Sequence, residues 1–222
     1  MDPPSGPRKQ VCPACPSGSA GDESRLRRTV MTMGFLILHG IENHRPPEHW
    51  QFLLAARLVE RGHEVRYPAL PEPDAPQLER WLDVLDEELS ALGGEQRVVV
   101  CHSLACLLWF RAAECGLWAA GPVDRLLLVS PPASECLPDG GASFRLEAFD
   151  AGSVRASVHG EIALACSDAD PYNPTGAQVR YGDALGITAT VFQGAGHITP
   201  DEGFGPWPFA SDWCLAAQPR AC

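Results

Sequence analysis

Residues 98–108, Val98-Val99-Val100-Cys101-His102-Ser103-Leu104-Ala105-Cys106-Leu107-Leu108, constrain this chain more than any other stretch. A β-branched apolar run enters a tight bend with Ser103 at its tip, and an apolar helical pattern leaves it. A strand that turns directly into a helix through a serine holds that hydroxyl out of the sheet with a helix N-terminus behind it, the geometry of a nucleophile elbow. The bend crowds the backbone, so the positions two before and two after the serine must be small. Cys101 and Ala105 meet that demand, although the usual residue at both is Gly. The plainer alternative is a buried strand followed by a helix that Ser103 merely caps.

Short apolar runs alternate with amphipathic patterns on both sides of this stretch. Gly34-Phe35-Leu36-Ile37-Leu38 ends in His39-Gly40, which reads as a buried strand opening into a loop at its C-terminal end, where ligands sit in open α/β sheets. The spacing predicts a helix over 48–62, a short strand over 64–67, and a helix from 75 to about 92. In that last helix Leu78, Trp81, Leu82, Leu85 and Leu89 share one face, which makes Trp81 core. After the elbow helix, which runs to about Cys115, further strands are predicted over 123–130, 161–166 and 189–192. Such alternation gives βαβ crossovers and a compact, mostly parallel sheet flanked by helices. Residues 131–158 have no clear period and read as a minimal lid with no large cap domain, over an open site. At 222 residues and 45% hydrophobic, the chain supports one core of useful size.

Composition removes several chemistries. The leader, residues 1–30, is rich in Pro, Gly, Ser and Arg, lacks a hydrophobic period and is expected to be disordered, with Met31 or Met33 a candidate start. Residues 31–217 are expected to form the folded domain and 218–222 a tail. The formal net charge is −11, and the chain beyond the leader is more acidic still, which argues against nucleic-acid or anionic-membrane partners. The only lysine, Lys9, lies in the leader, so Schiff-base and P-loop chemistry lose their obligatory residue. Nine cysteines without a secretory signal, several inside apolar patterns, read as reduced thiols acting as small hydrophobes in the cytoplasm. Cys12-Pro13-Ala14-Cys15 offers one pair where a zinc site needs two, and Glu42, His44 and His49 match no helix-face spacing, so no metal is expected.

Three candidates for acyl-transfer chemistry fall at predicted strand ends. Ser103 is at the elbow. Asp168 and Asp170 follow the strand over 161–166 in the loop Ser167-Asp168-Ala169-Asp170-Pro171-Tyr172-Asn173-Pro174, and His197 sits in Gln193-Gly194-Ala195-Gly196-His197 after the last strand. Ser, then Asp, then His is the chain order of the α/β-hydrolase arrangement. A carboxylate at 168 or 170 would orient the imidazole and stabilise it when protonated. Gly40 lets a loop backbone approach the substrate, so an N–H at Ile41 or Glu42 could bind the oxyanion. Trp207 lies ten positions past His197 and is either core or part of an acyl pocket; Trp109, Trp118 and Trp213 read as packing residues.

Over about residues 33–217 the chain also resembles the small serine hydrolases of the retinoblastoma-binding-protein-like family. The resemblance rests on His39-Gly40, His49-Trp50, Pro68-x-Leu70-Pro71-x-Pro73, His102-Ser103-Leu104-x-Cys106, Asp170-Pro171-Tyr172-x-Pro174, Gly196-His197 and Asp201-Glu202-Gly203-Phe204-Gly205-x-Trp207-Pro208. It implies the α/β-hydrolase fold, with Ser103 as nucleophile, His197 as general base and acid, and Asp170 rather than Asp168 as its partner, because Pro and Tyr follow the acid in the family pattern. It further implies an oxyanion hole from the backbone N–H groups of Leu104 and Ile41. The activity expected is cleavage of a small carboxylic ester, with a small-molecule acyl substrate and no cofactor. A thioesterase, amidase or peptidase would use the same groups, and a protein-binding member that had lost turnover would keep the fold. Thiol catalysis at Cys101 beside His102 is disfavoured, since burial at the base of the elbow would raise its pKa.

Overall fold

The computed structural model describes residue 1, residues 32–116 and residues 120–216; the readings of the leader, of Trp118 and of the tail lie outside the described residues. Six strands, β1 (Met33–Leu38), β2 (Glu64–Arg66), β3 (Gln96–His102), β4 (Val123–Val129), β5 (Val158–Ser167) and β6 (Thr190–Phe192), form one sheet in the order β2-β1-β3-β4-β5-β6. Every neighbouring pair is parallel. The helices are α1 (Trp50–Glu60), α2 (Leu78–Ala91), α3 (Leu104–Cys115), α4 (Ala151–Ala156), α5 (Asp183–Leu185) and α6 (Pro208–Leu215).

Strand alternation divides the core in two. Leu36 and Leu38 of β1, Val99 and Cys101 of β3, and Leu126 and Leu128 of β4 pack on one face with Trp81, Leu85 and Leu89 of α2 and most of α3. Phe35, Ile37, Val98, Val100, Leu127 and Val129 point to the other face, against Trp50, Leu54 and Leu58 of α1 and Ala210 and Cys214 of α6. A sheet covered on both sides needs strands that are apolar throughout, which is why β1, β3 and β4 read as continuous runs rather than alternating ones. Among the described residues no helix is long and apolar enough to cross a membrane.

Two elements depart from the sequence-based expectation. β5 begins at Val158 rather than Glu161, because its ladder with β4 already starts at Val123↔Val158, over residues whose polar composition hides the strand. The 131–158 segment is not featureless: it holds 3-10 turns at Ser134–Cys136 and Asp139–Phe144 and then α4, whose N-cap Asp150 accepts from Ser153 N. A helix of six residues is too short to show a period.

Among the described residues one buried cation ties the end of α6 to the sheet. Arg125 on β4, 2% exposed, pairs with Glu161 at 2.9 Å, donates to the carbonyls of Trp213, Cys214 and Ala216 at 2.9, 3.4 and 3.3 Å, and lies 4.0 Å over the Trp213 ring. These carbonyls are the unsatisfied end of α6, where a cation also meets the negative end of the helix dipole. Arg125→Ala is expected to lower stability by on the order of 3 kcal/mol, since it leaves several buried acceptors without a donor. Urea unfolding at unchanged m value reads that loss; a midpoint equal to wild type would mean that α6 docks without this clamp.

Candidate active site

Ser103 occupies the step from β3 to α3 with φ 56° and ψ −124°, a backbone state that costs a non-glycine residue about 1–3 kcal/mol. Surrounding structure enforces it: Ser103 N donates to Val129 O at 2.9 Å, and Cys101 and Ala105 are both fully buried against the turn. The turn therefore closes with Cys and Ala where Gly is usual. Burial pushes the Cys101 thiol well up, leaving it a packing group.

The imidazole of His197 lies between Ser103 and Asp170. Ser103 Oγ donates to His197 Nε2 at 2.7 Å, and His197 Nδ1 donates to both Asp170 oxygens, at 2.9 and 3.0 Å. Asp170 is 4% exposed and its Oδ1 also accepts from Tyr172 N at 2.9 Å, so the carboxylate is held by its own loop. Asp168 is not brought to the histidine; it accepts from Gly194 N at 2.7 Å and braces the neighbouring loop.

The close approach at Gly40 explains why the loop after β1 needs a glycine there. A Cβ there would stand 2.7 Å from Ser103 Cβ and 3.0 Å from Ser103 Oγ. The loop after β1 therefore passes directly over the hydroxyl. Glu42 N is committed to Pro73 O at 2.8 Å, whereas the N–H groups of Ile41 and Leu104 have no acceptor among the described residues; both residues line the cleft.

Several groups hold the histidine loop, and the sequence reading gave them no role. His102 donates from Nε2 to His197 O at 3.0 Å, Trp50 donates from Nε1 to Ile198 O at 3.0 Å, and Glu202 accepts from His197 N at 3.3 Å. Glu202 also accepts from Thr199 N and closes a capping box with it, readable in sequence as Thr-x-x-Glu at 199–202. Glu202 fills the space a Cβ on Gly196 would need, with its Cγ 2.5 Å from that position, so the glycine before His197 is a packing requirement as well as a turn at φ 54°. His39 is a strut: Nδ1 donates to Gly40 O and Nε2 accepts from Leu70 N. Burial lowers His39 and His49 to about 4 and drives His102 well below its ordinary value, so these three rings are neutral at pH 7. His44 meets Asp74 at 2.8 Å. Trp207 is half-buried and packs on Trp50 and Phe192 at 5.1 and 5.4 Å, against the core and outside the cleft lining.

The cleft over Ser103 has a volume of about 510 Å³. Leu104, Leu137 and Pro138 supply apolar lining from the elbow helix and the segment after β4, while Asn43, His49 and Thr199 supply polar lining. This is room for a small molecule.

A family model described as serine hydrolase matches residues 35–214. The chain is 28% identical over 187 residues to YdeN of Bacillus subtilis (strain 168), covering 82% of this chain and 94% of that protein. The crystal structure of the B. subtilis ydeN gene product is similar at a TM-score of 0.67 and 26% identity, over 83% of this chain and 97% of the other. A YdeN-like protein from Pectobacterium atrosepticum follows the same fold at a TM-score of 0.65 and 21% identity, over 82% and 88% of the two chains.

Proposed function

Because this chain belongs to the serine hydrolase family and has the α/β-hydrolase fold, we propose that it cleaves a small carboxylic ester through an acyl-enzyme on Ser103. The observation that supports this reading is the unbroken hydrogen-bond line from Ser103 Oγ through the His197 ring to Asp170. In this reading His197 Nε2 takes the Ser103 proton as Oγ attacks the carbonyl carbon. The N–H groups of Leu104 and Ile41 receive the developing oxyanion, and the same imidazole gives its proton to the departing alcohol. Water then enters and loses a proton to His197 as it attacks the acyl carbon, and the imidazolium returns that proton to Ser103 Oγ as the Oγ–acyl bond breaks and the acid leaves. Asp170 keeps the proton of the neutral ring on Nδ1 and stabilises the imidazolium without itself taking a proton.

No step of this sequence requires a metal or cofactor. Within the family, the tail Asp201-Glu202-Gly203-Phe204-Gly205-x-Trp207-Pro208 supports the retinoblastoma-binding-protein-like group, and the free cysteines of the described residues support a reducing, cytoplasmic setting. The expected partner is a small-molecule acyl substrate.

A fluorophosphonate probe is expected to label the protein at Ser103, as read by peptide mass, and the enzyme to release p-nitrophenol from p-nitrophenyl butyrate. A protein that neither labels nor turns over any acyl compound is a binding member of the fold and not an enzyme.

A further inference from the structure

The proposed acyl transfer gives no task to the ring N–H of His49, which lines the cleft. His49 caps α1, its Nδ1 accepting from Gln51 N at 3.2 Å, so the ring proton sits on Nε2. The residue is 4% exposed, packed against Trp50 and His102 at 5.7 and 5.5 Å, and the small surface it keeps lines the cleft. No described group accepts from Nε2, and that atom is not among the buried polar atoms lacking a partner, so it keeps access to solvent in a residue that lines the cleft. With its pKa lowered to about 4 by burial, the ring stays neutral at pH 7 and keeps one acceptor and one donor. A donor that no protein group answers and that solvent can reach is open to a ligand oxygen in place of water.

Its position indicates which part of a substrate that would be. The rings of His49, His102 and His197 follow one another at 5.5 and 5.3 Å, so one ring separates His49 from the histidine that would return its proton to the leaving group, and both His49 and His197 line the cleft. The apolar lining at Leu104, Leu137 and Pro138 comes from other elements and suits the acyl chain. We propose that His49 is a substrate-contacting specificity residue whose Nε2–H donates to an oxygen on the departing alcohol, which makes esters of hydroxylated alcohols the preferred substrates over plain alkyl esters. This rests on the acyl-transfer reading above.

His49→Asn tests it, because Asn is among the best N-caps and preserves the start of α1 while its shorter amide, though a donor, ends short of the position Nε2 reaches. The two probes share an acyl chain and an alcohol of three carbons: glyceryl monobutyrate and n-propyl butyrate. Wild type is expected to favour the glyceryl ester, and His49→Asn to reduce the ratio of kcat/KM values for the two esters by about tenfold or more at an unchanged thermal midpoint. His49→Ser, a second good cap, reproduces the change. An active enzyme whose ratio is the same in wild type and both variants overturns the role of His49 alone. A wild type that hydrolyses neither ester and resists the fluorophosphonate probe overturns the acyl-transfer reading and this proposal with it.

Discussion

Ser103→Ala is expected to lower kcat/KM toward p-nitrophenyl butyrate by about four to six powers of ten and to abolish fluorophosphonate labelling, while the thermal midpoint stays within a few degrees of wild type. The size follows from the way the three groups act as a unit: without Oγ the imidazole has nothing to deprotonate, and removing one member costs nearly as much as removing all. Stability is spared because Ala occupies the same left-handed backbone state that Ser103 already holds, and the Ser103 N to Val129 O bond belongs to the main chain. The two aspartates sharpen the experiment. Asp170→Asn is expected to cost about four powers of ten by holding the wrong imidazole tautomer, whereas Asp168→Ala removes only a bond to Gly194 N and is expected to cost less than tenfold. Equal losses at 168 and 170, or a folded Ser103→Ala enzyme that still turns over, would place the chemistry elsewhere.

Gly40→Ala is expected to lower kcat by about two to three powers of ten with a small change in KM. Gly40 is not among the residues at positive φ, so alanine meets no backbone penalty there. What it meets is Ser103: the added methyl would lie 2.7 Å from Ser103 Cβ, well inside contact distance. Relief requires the loop after β1 to rise or the Ser103 side chain to turn, and either moves the proposed nucleophile relative to the Ile41 N–H. Loss of one oxyanion donor costs about that much, and misplacement by about 1 Å has a similar price. Stopped-flow measurement of acylation separates this from a binding defect. A kcat near wild type would show that the loop relaxes freely and that Ile41 takes no part.

Much of the fold was legible because β1, β3 and β4 are buried on both faces and so must be continuously apolar, and because α2 carries its inward residues at helical spacing. The elbow and the acid loop were legible for a related reason, each being the polar punctuation after an apolar strand, whereas the histidine loop follows a short exposed edge strand and was legible from its glycines and from the Ser, Asp, His order. The choice between Asp168 and Asp170 was not open to spacing alone, since both follow β5 within three residues and only the direction of the loop decides which carboxylate meets His197. The supports of the histidine were hidden for another reason. His102, Trp50 and Glu202 reach His197 or Ile198 through main-chain atoms, from positions 95, 148 and 5 residues away, and such bonds leave no periodic mark.

The histidine loop follows β6, which is three residues long and pairs in register with β5 at Thr190, Val191 and Phe192 only. A ladder so brief anchors little, and the outermost strand of a sheet is where local opening begins. The bolts from Trp50, His102 and Glu202 thus do what the strand cannot. The histidine of the proposed relay is mounted beside one of the two three-residue edge strands, so on the proposed mechanism a molecule whose border strand has lifted would be folded by any global measure and already silent.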